Sequence, residues 1–144
     1  MKYAIKQLSI FLENKGGELQ FLTHTLSQGD ISIKSILLAD STDFGLARTI
    51  VDNPERAKAL LESEGLSVRL TDVFAVRIND VIGSFDKVVS TLSENGINIL
   101  YCYSFYESQS GIFIFNVPQN QFDEATKLMV DNGIEIVEAQ HFYM

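Results

Sequence analysis

The stretch TLSENGINI, Thr91 to Ile99, has a near-copy at Thr25 to Ile33, TLSQGDISI, displaced by 91 − 25 = 66 residues in a chain of 144. The match extends in both directions. Set Leu8 against Phe74, and LSIFLENKGGELQFLTHTLSQGDISI lies over FAVRINDVIGSFDKVVSTLSENGINI without a gap. Gly17 falls on Gly83, and Ile31 and Ile33 fall on Ile97 and Ile99. Phe44-Gly45 meets Ser110-Gly111, and a two-residue insertion near Pro118–Gln121 then carries Gly65-Leu66 onto Gly133-Ile134. A long period repeated only twice predicts two copies of one domain, residues 1–71 and 72–144, rather than a solenoid.

Each half reads alike. Lys6–Leu12 alternates apolar and polar residues as a strand does, and a polar loop closes on Gly17. Leu19, Leu22 and Leu26 recur at helical spacing, with Gly29 as the stop. Strands follow at Ile31–Ala39 and Phe44–Val51, with a turn at Asp40–Asp43. Asn53-Pro54 opens a second helix, Gly65 closes it, and Ser67–Leu70 is a short last strand. The second half gives Val73–Ile78, Phe85–Glu94, Ile97–Tyr106, Gly111–Val117, Phe122–Asn132 and Ile134–Ala139. The order is βαββαβ, twice. Right-handed crossovers place both helices of each copy on one face of an antiparallel sheet, so the expected fold is α+β, two ferredoxin-like domains in tandem. The joint LTDVFAV carries no Gly, Pro or Ser run, which predicts domains that pack rather than swing.

Composition bounds the function. Hydrophobic residues make up 46% and charged residues 21%, enough for a packed core. No apolar run approaches the ~20 residues of a membrane span. The alternating start, MKYAIKQLSIFLE, reads as a strand and not as a signal peptide. Cys102 is the single cysteine, so an internal disulfide framework and a cysteine-rich metal site are excluded, and the cytoplasm is the expected compartment. The net charge of −8 is uneven: residues 1–71 hold 8 basic and 9 acidic groups, residues 72–144 hold 3 and 10. Nucleic acid needs a basic surface to displace counterions, and an anionic membrane repels an acidic one; neither is an expected partner.

The ferredoxin-like fold hosts unrelated functions, so residues must decide. Phe113 and Phe115 stand two apart, as stacking aromatics of RNA-binding sheets do, but no Lys or Arg leads the motif. One ring packed in the core and one partly exposed is the expectation. Neither first loop holds the Arg of an acylphosphatase or the paired cysteines of a copper chaperone. His24 and His141 lack neighbouring carboxylate or thiol clusters, and Cys102 reads as a structural thiol. No catalytic group, metal site or cofactor is expected. Tyr101 and Tyr103 alternate with Cys102 and, with Tyr106, line either a ligand site or the surface beneath the helices. Arg48 pairs with Asp40 or Asp43, or reaches a ligand carboxylate.

Two motifs recur at matched positions: ENKGGEL and NDVIGSF run into the first helices, and GDISI and NGINI open the second strands. With them the whole chain resembles the ACT domain, a small-molecule-binding regulatory module of amino-acid metabolism, here as a tandem pair with no catalytic domain. The resemblance implies a non-catalytic regulatory protein that binds an amino acid or similar metabolite where two ACT domains meet. It also implies a homodimer and an amino-acid metabolic enzyme as possible partner. An alternative is an interaction subunit of such an enzyme whose ligand site has decayed. The implied ligand residues are Glu13, Asn14, Lys15, Gly16, Gly17, Glu18, Leu19 and Ser32 in the first copy. In the second they are Asn79, Asp80, Ile82, Gly83, Ser84, Asn98, Ile99 and Leu100. A Gly-containing loop running into a helix offers free N–H groups and the positive end of the dipole to a carboxylate, and Asn14, Asn79 or Asp80 can accept from the ammonium. The copies have diverged: Gly16 and Ile82 stand where the family often has Pro, and Asn98 faces Ser32 as its counterpart.

Overall fold

Two αL glycines set the pattern. Gly17 and Gly83, 66 residues apart, have φ of +89° and +90°, and each is followed at once by an 11-residue helix. The computed structural model describes residues 2–13, 15–40 and 44–144. Its elements are β1 (Ile5–Glu13), α1 (Glu18–Gln28), β2 (Ile33–Asp40), β3 (Phe44–Val51), α2 (Pro54–Ser63), β4 (Ser67–Ile78), α3 (Ser84–Glu94), β5 (Tyr101–Glu107), β6 (Ser110–Asn116), α4 (Phe122–Asp131) and β7 (Ile136–Val137). Short 3₁₀ turns lie at Gln119–Gln121 and Ala139–Phe142. The βαββαβ order therefore occurs twice.

The chain forms two compact units, Lys6–Thr71 with Gln140–Met144, and Asp72–Ala139 with Met1–Ile5. In the first, the strand order is β2-β3-β1-β4. Antiparallel register sets Leu8 opposite Thr49, Ile10 opposite Ala47 and Leu12 opposite Gly45. Leu8, Ile10 and Leu12 face Leu22 and Leu26 of α1 and Ala57 and Leu61 of α2 in one core, so both helices cover the same sheet face. In the second unit the order is β5-β6-β4, with β7 on the other side of β4. Phe74, Val76 and Ile78 there meet Val88 and Leu92 of α3 and Ala125 and Met129 of α4. Phe74 stacks on Phe115 with centroids 5.5 Å apart and meets Phe122 edge-on at 5.9 Å.

Several details differ from the sequence reading. The strands expected at Ser67–Leu70 and Val73–Ile78 are one uninterrupted strand, because no residue between them breaks the extended backbone. The second strand of the second unit starts at Tyr101, not Ile97. The last strand shortens to Ile136–Val137. Gly29 does end α1, yet its φ is −89°; the left-handed position is Asp30, φ +56°. A Cβ at Gly29 would overlap the Cδ2 of Leu60 on α2, so a larger residue there requires that side chain to turn aside. Of the turn expected at Asp40–Asp43, residues 41–43 lie outside the described residues, and Asp40 ends β2.

Leu22 and Val88 hold equivalent positions on α1 and α3 and are 0% and 2% exposed. Leu22→Ala should lower stability by ~2–4 kcal/mol and Val88→Ala by ~1–3 kcal/mol in urea melts. Midpoints equal to the wild type would contradict the core described here.

Candidate ligand site at the loop–helix junctions

Both first loops fold by the same local rule. Lys15 N–H donates to the Glu13 carbonyl at 2.9 Å, and Val81 N–H donates to the Asn79 carbonyl at 2.8 Å, 66 residues on. Each loop then enters its left-handed glycine, and the glycine carbonyl accepts the first helical bond, from Phe21 N–H at 2.9 Å and Lys87 N–H at 3.0 Å. No side chain caps either helix start among the described residues. A Cβ at Gly17 or Gly83 would meet nothing within 4 Å. Glycine is there because φ near +90° is costly for any residue with a Cβ, and the space beside it stays open.

The junctions border equivalent crevices. In the first unit a cavity of about 150 Å³ is lined by Leu12, Glu13, Lys15, Glu18, Leu19, Leu38, Ala39 and Gly45. In the second, about 110 Å³ is lined by Ile78, Asn79, Asp80, Val81, Phe85, Tyr106, Gly111 and Phe113. Leu12/Ile78, Glu13/Asn79, Lys15/Val81, Leu19/Phe85 and Gly45/Gly111 are the same positions in the two copies. Both are smaller than the ~300–1,000 Å³ that drug-sized ligands fill, which suits a small metabolite. The second is the tighter because Phe113 stacks on Phe85, centroids 4.7 Å apart, where the first copy has Ala47 and Leu19.

Their chemistry has diverged. The first loop is charged: Lys15 Nζ lies 3.1 Å from Glu13 Oε2, and Glu18 Oε1 accepts from the Glu13 N–H at 3.2 Å. The Lys15 ammonium is held above its ordinary pKa, first by the hydrogen bond to Glu13 and then by attraction to Glu13 and Glu18. The second loop is apolar at its tip, with Val81 65% exposed and Ile82 fully so. Gly16 and Gly17 are exposed beside the charged loop, and Gly83 and Ser84 follow the apolar one. Asn14 lies outside the described residues.

The strand-start residues are elsewhere in each unit. Ser32 lines a separate cavity with Thr23, Ser27, Asp30, Ile31 and Ile33, at the far end of α1 from Gly17. Eleven helical residues separate the two places by about 16 Å. Asn98, Ile99 and Leu100 likewise follow the far end of α3 and take no part in the crevice at Asn79. Within one unit, loop and strand start therefore do not meet on a single small ligand.

The strand starts are held by residues that the sequence reading missed. Asp52 Oδ1 accepts from the Ser32 N–H at 3.0 Å, and the Asp52 N–H donates to the Ser32 carbonyl at 3.1 Å. In the second unit Gln121 does this work: its Oε1 accepts from the Asn98 N–H at 3.0 Å, and its Nε2 donates to the Gly96 carbonyl at 2.9 Å. Gln121 sits where the two repeats differ in length, a signal present in the alignment of the two copies.

The remaining candidates resolve as follows. Cys102 lies opposite Phe115 on the helix-covered face, and burial pushes its thiol up to about 11. Tyr101 and Tyr103, opposite Asn116 and Ile114, are on the other sheet face and not beneath the helices. Tyr106 shares the face of Cys102 and is 74% exposed beside the crevice. Phe115 is buried and Phe113 partly so, both stacked on protein rings. The Asp43 proposed for Arg48 lies outside the described residues, as does the side chain of Asp40. Among the described residues no group of three His, Cys, Asp or Glu side chains could hold a metal ion, and no helix is long and apolar enough to cross a membrane.

A tandem βαββαβ chain with Gly-closed loop–helix junctions in both copies can now be set beside known proteins. The model of the ACT domain pair matches residues 3–144. The chain belongs to the ACT domain pair family. Its fold matches a Bacteroides thetaiotaomicron protein with a TM-score of 0.92 at 31% identity, over 99% of this chain and 97% of that one. The regulatory subunit of aspartate kinase from Thermus thermophilus shares the fold at a TM-score of 0.64 and 17% identity, over 90% of this chain and 93% of that one. Aspartate kinase of Clostridium acetobutylicum does so at 0.58 and 14%, over 89% of this chain but 33% of that larger one. No curated protein matched. The ACT pair is a regulatory fold, and the family resemblance first seen in the loop motifs holds over residues 3–144.

The geometry separates side-chain from backbone roles at Asn98. Its side chain is exposed, so Asn98→Ala should leave urea stability unchanged. Gln121→Ala frees the Asn98 N–H and the Gly96 carbonyl together and should cost ~0.5–1.5 kcal/mol. The reverse ranking would show that the Asn98 side chain, not Gln121, holds the strand start.

Proposed function

We propose that this ACT domain pair is a non-catalytic regulator that binds a small amino acid at its loop–helix junctions. The observation that carries the reading is the repeated junction itself: a left-handed glycine, a helix start without a side-chain cap, and a small crevice lined by the flanking residues, Glu13, Lys15, Glu18 and Leu19 in the first unit and Asn79, Asp80, Val81 and Phe85 in the second. The backbone N–H groups of the first helical turn suit the α-carboxylate. Carboxylate and amide side chains at the same loop suit the ammonium: Glu13 and Glu18 in the first unit, Asn79 and Asp80 in the second. The first junction is the better candidate, since Ala47 leaves room that Phe113 fills in the second. Glu13 to Leu19 are the first-unit contacts in this reading, and Asn79, Asp80, Ile82, Gly83 and Ser84 those of the second. Ser32, Asn98, Ile99 and Leu100 would belong to a ligand only if presented by another ACT domain.

The likeness to a chain described as the regulatory subunit of aspartate kinase supports a regulatory role and an enzyme of amino-acid metabolism as partner. In this reading the protein is cytoplasmic and homodimeric. A thermal-shift screen against the twenty amino acids tests it. At least one should raise the melting temperature, since a ligand at ~100 times its Kd adds ~2.7 kcal/mol. Gly17→Val should abolish the shift at the first junction, because a β-branched residue cannot hold φ +89° and the loop that presents Glu13, Lys15 and Glu18 would move. No response to any amino acid would overturn the ligand-binding reading and leave the alternative of an interaction subunit with a decayed site.

A further inference from the structure

The two crevices share a glycine but differ in what lies over it. Gly45 and Gly111 hold the same place in β3 and β6, opposite Leu12 and Ile78. A Cβ on Gly111 would come within 2.8 Å of Phe113 Cε1, so the Phe113 ring occupies the space that a side chain there would need. The same ring stacks on Phe85. In the first unit, a Cβ on Gly45 would meet Leu12 Cβ and Leu38 Cδ1 at 3.9 Å, an ordinary contact distance. Gly45 also lies in an extended strand, which any residue with a Cβ can adopt. Among the described residues, neither crowding nor conformation calls for glycine at 45. A glycine inside a strand otherwise marks a place where another group approaches closely.

Phe113 shows what that place accepts: an apolar group laid against the residue at position 85. Its counterpart in the first copy is Ala47, a single methyl, and the counterpart of Phe85 is Leu19. The cavity of about 150 Å³ there is walled by Leu12, Leu19, Leu38 and Ala39 around Gly45. Leu19 and Leu38 are left 41% and 51% exposed, and Leu38 stands where the second copy has Ser104. The charged lining, Glu13, Lys15 and Glu18, is confined to the loop and its two ends. Beyond the loop, every lining residue is apolar or glycine.

We infer, resting on the amino-acid reading of this junction, that the ligand of the first crevice carries an uncharged, apolar side chain. That side chain takes the place that the Phe113 ring takes in the second unit. The ligand's ammonium and carboxylate stay at the charged loop, and its side chain covers Gly45, Leu19 and Leu38. An apolar cavity of about 150 Å³ takes up benzene, so the side chains of valine and leucine fit.

Calorimetry on the full chain tests this with near-isosteric pairs, valine against threonine and leucine against asparagine. In each pair the apolar member should bind at least about fivefold more tightly, because a hydroxyl or amide would be buried without a partner. Gly45→Val fills the cavity from within and should abolish binding of both apolar ligands. Leu38→Ser, which installs the residue of the second copy, should weaken it about threefold or more. Urea midpoints show whether the variants fold, and the ligand pairs decide the matter in the wild-type chain if they do not. A smaller preference than fivefold, tighter binding of a charged amino acid, or undiminished binding by a folded Gly45→Val chain would overturn the inference while leaving an amino-acid regulator. Binding of none of the twenty would instead overturn the junction reading, and this inference with it.

Discussion

The structure turns on the backbone at Gly17 and Gly83. A left-handed residue at the end of the first loop redirects the chain by a fixed amount, so the helix begins immediately and its apolar stripe meets the sheet. Any residue with a Cβ pays about 1–2 kcal/mol to hold that φ. Nothing else crowds these positions, so the glycines answer a conformational need and not a steric one. The same turn leaves both helix starts without a side-chain cap, the Ser84 N–H donating to the Val81 carbonyl, and leaves the space beside each glycine open. Fold and candidate site thus arise from one local constraint, met twice.

Around that constraint the two units have specialised by side chain alone. The first junction carries Glu13, Lys15 and Glu18, linked by an ion pair and a backbone contact. The second exposes Val81 and Ile82 and fills its crevice with stacked Phe85 and Phe113. Its crevice lining holds no cationic side chain, and Arg77 of the neighbouring strand turns to Glu107 and Ser110 on the other sheet face. Duplication supplied the backbone, and divergence at a few positions separated the chemistry.

The duplicated fold was legible because apolar periodicity and the Gly17/Gly83 pair repeat with a constant offset, and local rules suffice to read both. What was not legible was long-range. Nothing near NGINI reveals that Gln121, 23 residues away, holds Asn98, and so the strand start was read as a recognition element. Tyr101 and Tyr103 were paired correctly against Cys102, but which sheet face the helices cover depends on the register with β6. Gly29 as the stop of α1 was legible, but the Leu60 side chain of α2 that its missing Cβ leaves room for was not. The crevice walls at Leu38, Gly45, Tyr106 and Gly111 likewise come from strands distant in sequence. Only the Gly45/Gly111 coincidence between the copies hinted at them.

The most direct measurement of the central claim is the amide spectrum of the uniformly labelled chain with each of the twenty amino acids in turn. If the loop–helix junctions bind the ligand, an effective amino acid will shift the N–H signals of residues 17–20, 83–86 or both, saturably and more than any others. Saturable shifts centred on residues far from both junctions, or no saturable shift with any of the twenty, would contradict the account.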